Sequence, residues 1–247
     1  MIKHAVNSLI WPLATFSPDL GGEGTSANDA GSRAVFLDRD GTIVRSAGYV
    51  TQRDQIELLP DAASSIQRLR TAGFRCVLVT NQSAIGRGLL TIDGLATIHK
   101  ELRRQLAIEE AEVDAIYFCP IAPNSDDETI VEYPDRKPGS GMLLKAAHDM
   151  VLDLSKSWMV GDRLSDVLAG IYAGCRSIRV KTGHRYMCPI RSIGYDYVTK
   201  YSIKEATDFI LTEFGFSRIS GGRYAGNSTV IGGLSGRVPT CDDSAES

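Results

Sequence analysis

Arg33-Ala-Val-Phe-Leu-Asp-Arg-Asp-Gly-Thr-Ile-Val44 decides how this chain is read. Ala34, Val35, Phe36 and Leu37 form an apolar run of strand length, flanked by polar residues. Gly41 interrupts the chain just beyond it. Asp38 and Asp40 therefore stand at the carboxyl end of a buried strand, the edge at which open α/β sheets bind ligands. Two carboxylates one residue apart suit a nucleophile with an acid/base partner, with a hard cation held between them. Asp and Gly after a strand are also ordinary turn formers, so the pair alone leaves both readings open.

Outward from this stretch, strands and helices alternate. Pro60 and Asp61 open a helix carrying Ile66 and Leu69 on one face, and Gly73 closes it. Residues 74–79 read as a second buried strand. Thr91 starts a long helix with Leu95, Ile98, Leu102 and Leu106 along one stripe. Residues 113–118 are predicted as a third strand, 142–152 as a helix and 157–160 as a fourth strand. Residues 164–173 read as a helix and 177–180 as a strand. Ser202-Ile-Lys-Glu205 is a capping box that opens a last helix through Phe214. The alternation predicts an α/β fold with a Rossmann-like parallel sheet and helices on both faces. Right-handed crossovers then place every strand-to-helix loop on one edge.

Composition narrows the function classes. A formal net charge of -3 over 247 residues gives no basic footprint for nucleic acid or anionic membrane. The five cysteines, Cys76, Cys119, Cys175, Cys188 and Cys241, are scattered and odd in number, which fits free thiols in a reducing compartment. Residues 1–32 read as a flexible extension; Asn7, Ser8 and Pro12 break the apolar run a secretory signal needs. Residues 217–247 are rich in Gly and Ser, hold few large apolar residues, and are expected to be disordered. The folded unit is expected over residues 33–216, in the cytoplasm, with no membrane-spanning run.

Four segments are expected to meet at the loop edge: Asp38 and Asp40; Thr80-Asn-Gln-Ser83; Lys137 in Asp135-Arg-Lys-Pro-Gly139; and Gly161-Asp-Arg-Leu-Ser-Asp166. The set matches phosphoryl transfer to a carboxylate. Asp38 would attack phosphorus, and Asp40 would protonate the leaving oxygen and then activate water. Thr80 and Lys137 would hold the phosphoryl oxygens. Asp162, Asp38 and the main-chain carbonyl of Asp40 would bind Mg²⁺, with Asp166 as an anchor behind them. Taken singly, each has a bland reading: Thr80 and Asn81 as turn formers, Asp162, Ser165 and Asp166 as helix caps, Lys137 as a solvated lysine. All four in this order, each at an element end, favour chemistry. No Walker sequence is present, and Gly41-Thr42 departs from the helix-loop calcium pattern.

The segments Phe36-Leu-Asp-Arg-Asp-Gly-Thr-Ile43, Gly48-Tyr-Val50, Val79-Thr-Asn-Gln-Ser-Ala-Ile-Gly-Arg87, Ile116-Tyr-Phe-Cys-Pro120, Arg136-Lys-Pro138 and Met159-Val-Gly-Asp162 resemble the motifs of the haloacid dehalogenase superfamily. Within it they are most similar to the small-lid phosphatases of the histidinol-phosphatase type, and among those to the heptose bisphosphate phosphatases. The resemblance implies a Mg²⁺-dependent, cytoplasmic, monomeric phosphatase with a loop for a lid and a phosphorylated sugar as substrate. It further implies that Ser46, Ala47, Gly48, Tyr49 and Asn81 line the substrate site and that Arg136 aids recognition. Many relatives carry a zinc loop with Cys-x-His, then Cys-x-Cys before Arg-Lys-Pro. Here that loop begins Cys119-Pro-Ile121 and ends Tyr133-Pro-Asp135, keeping one of four ligands, so no zinc is expected. The loop is acidic instead, with Asp126, Asp127, Glu128 and Glu132.

Three functions are compatible with this reading. A heptose bisphosphate would want extra cations, for which Arg45, Arg53, Arg136 and Lys181 are candidates. Histidinol phosphate would place an amine near the acidic loop. A non-catalytic phospho-ligand module would not need a nucleophile and an acid together.

Overall fold

The structure, a computed structural model, describes residues 32–46, 48–183 and 195–215. Most of the expected extension, the expected tail, Ala47, His4, His184, Cys188 and Cys241 lie outside the described residues.

Six strands form one parallel sheet: β1 (Ala34–Leu37), β2 (Arg75–Asn81), β3 (Ala115–Cys119), β4 (Trp158–Gly161), β5 (Arg176–Val180) and β6 (Val198–Lys200). Their order is β3-β2-β1-β4-β5-β6. The order reverses between β1 and β4, and that switch point is where doubly wound sheets open a crevice at their carboxyl ends. Val35 pairs with both Cys76 and Trp158, so β1 is central.

Alternation of side chains along the strands builds two cores. Val35, Leu37, Leu78, Phe118, Trp158 and Val160 face one side. There they meet Ile66 and Leu69 of α1 (Ala62–Thr71), the Leu95, Ile98, Leu102 and Leu106 stripe of α3 (Ile92–Ile108), and Ile203, Ala206 and Ile210 of α6 (Ile203–Glu213). Phe36, Val77, Val79, Tyr117 and Met159 face the other side, against Met142, Leu143 and Ala146 of α4 (Gly141–Met150) and Ala169 and Ala173 of α5 (Leu164–Ala173). A one-turn helix, α2 (Ser83–Gly86), follows β2. Among the described residues no helix is long and apolar enough to cross a membrane.

The sequence expectations need local corrections. Thr80 and Asn81 belong to β2, because their pairing with Phe118 and Cys119 carries the ladder past the apolar run. β3 begins at Ala115, two residues later than expected, since the Asp114 carboxylate accepts from the Cys76 N–H (2.7 Å). β6 and α2 carried no apolar pattern long enough to be seen. Ser202 caps α6 by accepting from the Glu205 N–H (3.3 Å), but the Glu205 carboxylate accepts from Tyr201 N–H (3.0 Å), one residue before the cap.

Candidate active site

Asp38 is the first residue past β1, and its N–H donates to Val160 O of β4 (2.9 Å), fastening the switch point. Thr80 ends β2. Lys137 enters from the loop before α4, Asp162 follows β4, and Asp166 lies in the first turn of α5. Asp38, Thr80, Lys137, Asp162 and Asp166 are all at most 6% exposed. Four segments widely separated in sequence therefore converge at the carboxyl edge of the sheet.

Lys137 organises the set. Its ammonium donates to Asp38 Oδ1 (2.6 Å) and Val79 O (2.7 Å), and pairs with Asp166 Oδ1 (2.6 Å). All three of its donors are used. Burial alone would lower its pKa, but Asp166 and Asp38 outweigh burial and raise it, so the ammonium persists. The Asn81 side chain holds the Lys137 main chain from both sides, donating to its carbonyl (3.0 Å) and accepting from its N–H (3.1 Å). Asn81 thus lines the site while splinting Lys137.

Carboxylate oxygens of Asp38, Asp162 and Asp166 lie within 4.8 Å of one another. Burial, the largest influence, holds the Asp38 pKa well above the usual carboxylate range; Asp166, Asp162 and Asp40 add to it, against Lys137. Three buried carboxylates facing one ammonium form an oxygen-only, over-negative site, which suits a hard divalent cation. Asp166 stands in this cluster itself rather than behind it, and its other oxygen accepts from Arg163 N–H (2.9 Å). The Asp162 carboxylate is closely walled: a Cβ on Gly183 would come within 1.9 Å of Asp162 Oδ2, and one on Gly41, whose φ is +91°, within 2.7 Å. Glycine at both places lets the backbone reach the carboxylate.

Above the cluster opens a cavity of about 1060 Å³. Asp38, Asp40, Ser46, Gly48, Tyr49, Thr80, Asn81, Arg136 and Lys137 all line it, as do Asp162 and Asp166. Of the cations expected near a second anionic group, only Arg136 is there; Arg45 pairs with Glu57 at the surface, and Lys181 stacks on Tyr201. Arg87, Arg163 and Arg179 line the cavity instead. Arg87 and Arg163 lie within the motif stretches Val79–Arg87 and Gly161–Asp166, which is the signal the sequence offers; Arg179 sits in β5 and carries none.

The 120–135 loop forms the far wall. The Glu132 carboxylate accepts from Asn124 N–H (2.8 and 3.1 Å), and Asn124 Nδ2 donates to Tyr133 Oη (3.1 Å). Arg136 donates to Ile121 O (2.6 Å) and to Ser83 Oγ (3.1 Å) at the base. Glu128 reaches across to pair with Arg163 and accept from Leu164 N–H (3.1 Å). Cys119 is a buried thiol at the end of β3, its pKa raised by burial.

Comparisons with known proteins point to one family. The HAD-hydrolase-like family profile matches residues 135–200. A D-glycero-D-manno-heptose-1,7-bisphosphate 7-phosphatase of Thermosynechococcus vestitus is 41% identical over 155 residues, 61% of this chain and 79% of the relative. One from Chlorobaculum tepidum is 36% identical over 189 residues, 73% of this chain and 95% of the relative. The crystal structure of a D,D-heptose 1,7-bisphosphate phosphatase from B. bronchiseptica, complexed with magnesium and phosphate, superposes with a TM-score of 0.65 at 33% identity, covering 73% of this chain and 99% of the other.

Lys137→Met leaves two buried carboxylates face to face without their shared cation. Breaking a buried pair from one side costs roughly 3–5 kcal/mol. Urea unfolding in a chelating buffer is expected to show that loss; a midpoint equal to wild type would mean the ammonium is not holding the site together.

Proposed function

The chain belongs to the haloacid-dehalogenase-like phosphatases, and from that premise we propose that it hydrolyses D-glycero-D-manno-heptose 1,7-bisphosphate at its 7-phosphate, through an aspartyl phosphate on Asp38. The observation that carries the chemistry is the buried Asp38 carboxylate held 2.6 Å from Lys137 at the mouth of the cavity. The substrate reading rests on the relatives, whose names specify that sugar.

A carboxylate oxygen of Asp38 attacks phosphorus as the phosphorus–oxygen bond to the sugar breaks. Asp40 gives a proton to the departing oxygen, then takes one from the water that attacks the aspartyl phosphate. Lys137 and the Thr80 hydroxyl meet the charge that gathers on the phosphoryl oxygens. Asp38, Asp162 and the Asp40 carbonyl are the groups to hold Mg²⁺, with the Asp166 carboxylate beside them; bound there, it supplies further positive charge to the phosphoryl group. Arg87, Arg136 and Arg163 offer cationic wall for the second phosphate. We read the enzyme as a cytoplasmic monomer; its loop is read as holding no zinc, because Ile121, Tyr133 and Asp135 stand at three of the four ligand positions.

The acidic wall supports a second reading. Asp126, Asp127, Glu128 and Glu132 line the cavity and would attract the amine of histidinol phosphate. Glu128 and Glu132 are already engaged within the loop and by α5, which leaves less of that wall for an amine.

Asp38→Asn is expected to abolish turnover with the fold intact by circular dichroism. Asp40→Asn should lower kcat by roughly 10²–10⁴-fold, as loss of a general acid does. Near-wild-type activity in either variant would sink the corresponding role. In side-by-side assays kcat/KM for the heptose bisphosphate should exceed that for histidinol phosphate by at least about tenfold, roughly 1.4 kcal/mol; equal or reversed preference eliminates the heptose reading. Elemental analysis of protein purified without added metal should find no stoichiometric zinc, and zinc that survives dialysis would overturn the reading of the loop.

A further inference from the structure

Arg39 sits between the two site aspartates and is fully buried. It grips Asp40 with a fork: Nε donates to Oδ1 (2.9 Å) and Nη2 to Oδ2 (2.7 Å). Nη2 also donates to Gln82 Oε1 (3.1 Å), and Nη1 lies 3.4 Å from His99 Nε2 on α3. A guanidinium can only donate, and this sets the direction of every bond around it. His99 Nε2 must be the acceptor, so the ring is neutral with its proton on Nδ1. Burial, then Arg39, lowers the His99 pKa to about 3, in keeping with that state.

The same logic fixes Gln82. Its Oε1 faces Arg39, so its Nε2 must face the site, where it donates to Asp40 Oδ2 (3.1 Å) and to Thr80 Oγ1 (2.9 Å). A Thr80 oxygen that accepts from Gln82 has its own hydrogen left to direct elsewhere, and Thr80 lines the cavity. We propose that Arg39, through Gln82, is a positioning residue: the pair fixes the Asp40 carboxylate for proton delivery to the leaving oxygen and turns the Thr80 hydroxyl toward the phosphoryl group. The inference rests on Asp40 being the proton donor. In the step concerned, the Asp38–phosphorus bond forms, the phosphorus–oxygen bond to the leaving group breaks, and the Asp40 proton passes to that oxygen. The carboxylate left behind faces donors that are already in place.

Leaving groups separate positioning from mere support of the fold. A p-nitrophenolate departs with little need of a proton, whereas a sugar alkoxide needs one. Gln82→Met fills a similar volume without changing charge, yet removes the donors to Asp40 and Thr80. With Mg²⁺ present, kcat on the sugar phosphate should fall about tenfold more than kcat on p-nitrophenyl phosphate, the excess being the share owed to misplaced acid catalysis. KM should change less than about threefold, since ground-state contacts are kept. Arg39→Lys should show the same split; where that variant fails to fold, Gln82→Met decides. Equal losses on both esters, or none, overturn the inference. Asp40→Asn is run beside them: a split in Asp40→Asn that is missing from Gln82→Met overturns the Arg39 network alone, and no split in Asp40→Asn overturns the proton-donor reading and this inference with it.

Discussion

The Lys137 ammonium, held between Asp38 and Asp166 and away from water, is the interaction the rest of the site depends on. A buried charge is tolerated only when its partners and hydrogen bonds are complete. Here the third donor reaches Val79 O, inside β2. One side chain thereby joins the ends of β1 and β2, the loop before α4 and the first turn of α5. Any shift of β1 against β2, or of α5 along its axis, would pull one of these groups away from the ammonium. The electrostatics thus enforce the register of the sheet as well as the placement of the reacting groups.

The walls of the cavity are held by different means. Arg136 ties the start of the 120–135 loop, at Ile121, to α2, while Glu128 ties its tip to the start of α5. Two anchors at opposite ends, each partly withdrawn from solvent, keep the loop over the carboxylate cluster. Its acidic groups are largely spent on internal bonds, so the charge seen in the sequence overstates what a ligand would meet.

Much of the fold was legible because apolar runs bounded by Gly, Pro or Asp mark buried strands, and the Leu95–Leu106 stripe marks a helix face. β6 was not legible: a three-residue edge strand needs no apolar run. The ends of β2 and β3 were set by pairing between distant segments, which no local pattern encodes. At the site, the charged residues at strand ends stood out because charge is rare there. Asp166 was read as an anchor, since spacing along α5 says which face it shares but not how closely α5 approaches β1. Arg39 and Gln82 fall inside motifs whose chemistry is carried by their neighbours, so the sequence assigns them no role. An arginine between two aspartates reads as surface charge until the fold is seen to bury it.

Strand order has a consequence for how the chain is made. β1 lies at the centre of the sheet, but its partner β4 follows only after β2, β3 and α4. As the chain leaves the ribosome, β1 can pair with β2 while its other edge stays bare. Asp38 meanwhile waits for a countercharge encoded 99 residues later. At roughly 5–20 residues per second the interval between β3 and β4 lasts seconds. An unpaired strand edge is a template for pairing with another chain. That interval of synthesis therefore leaves a bare strand edge open to aggregation; arrival of β4 closes it, and Asp162 and the first turn of α5, next along the chain, complete the site.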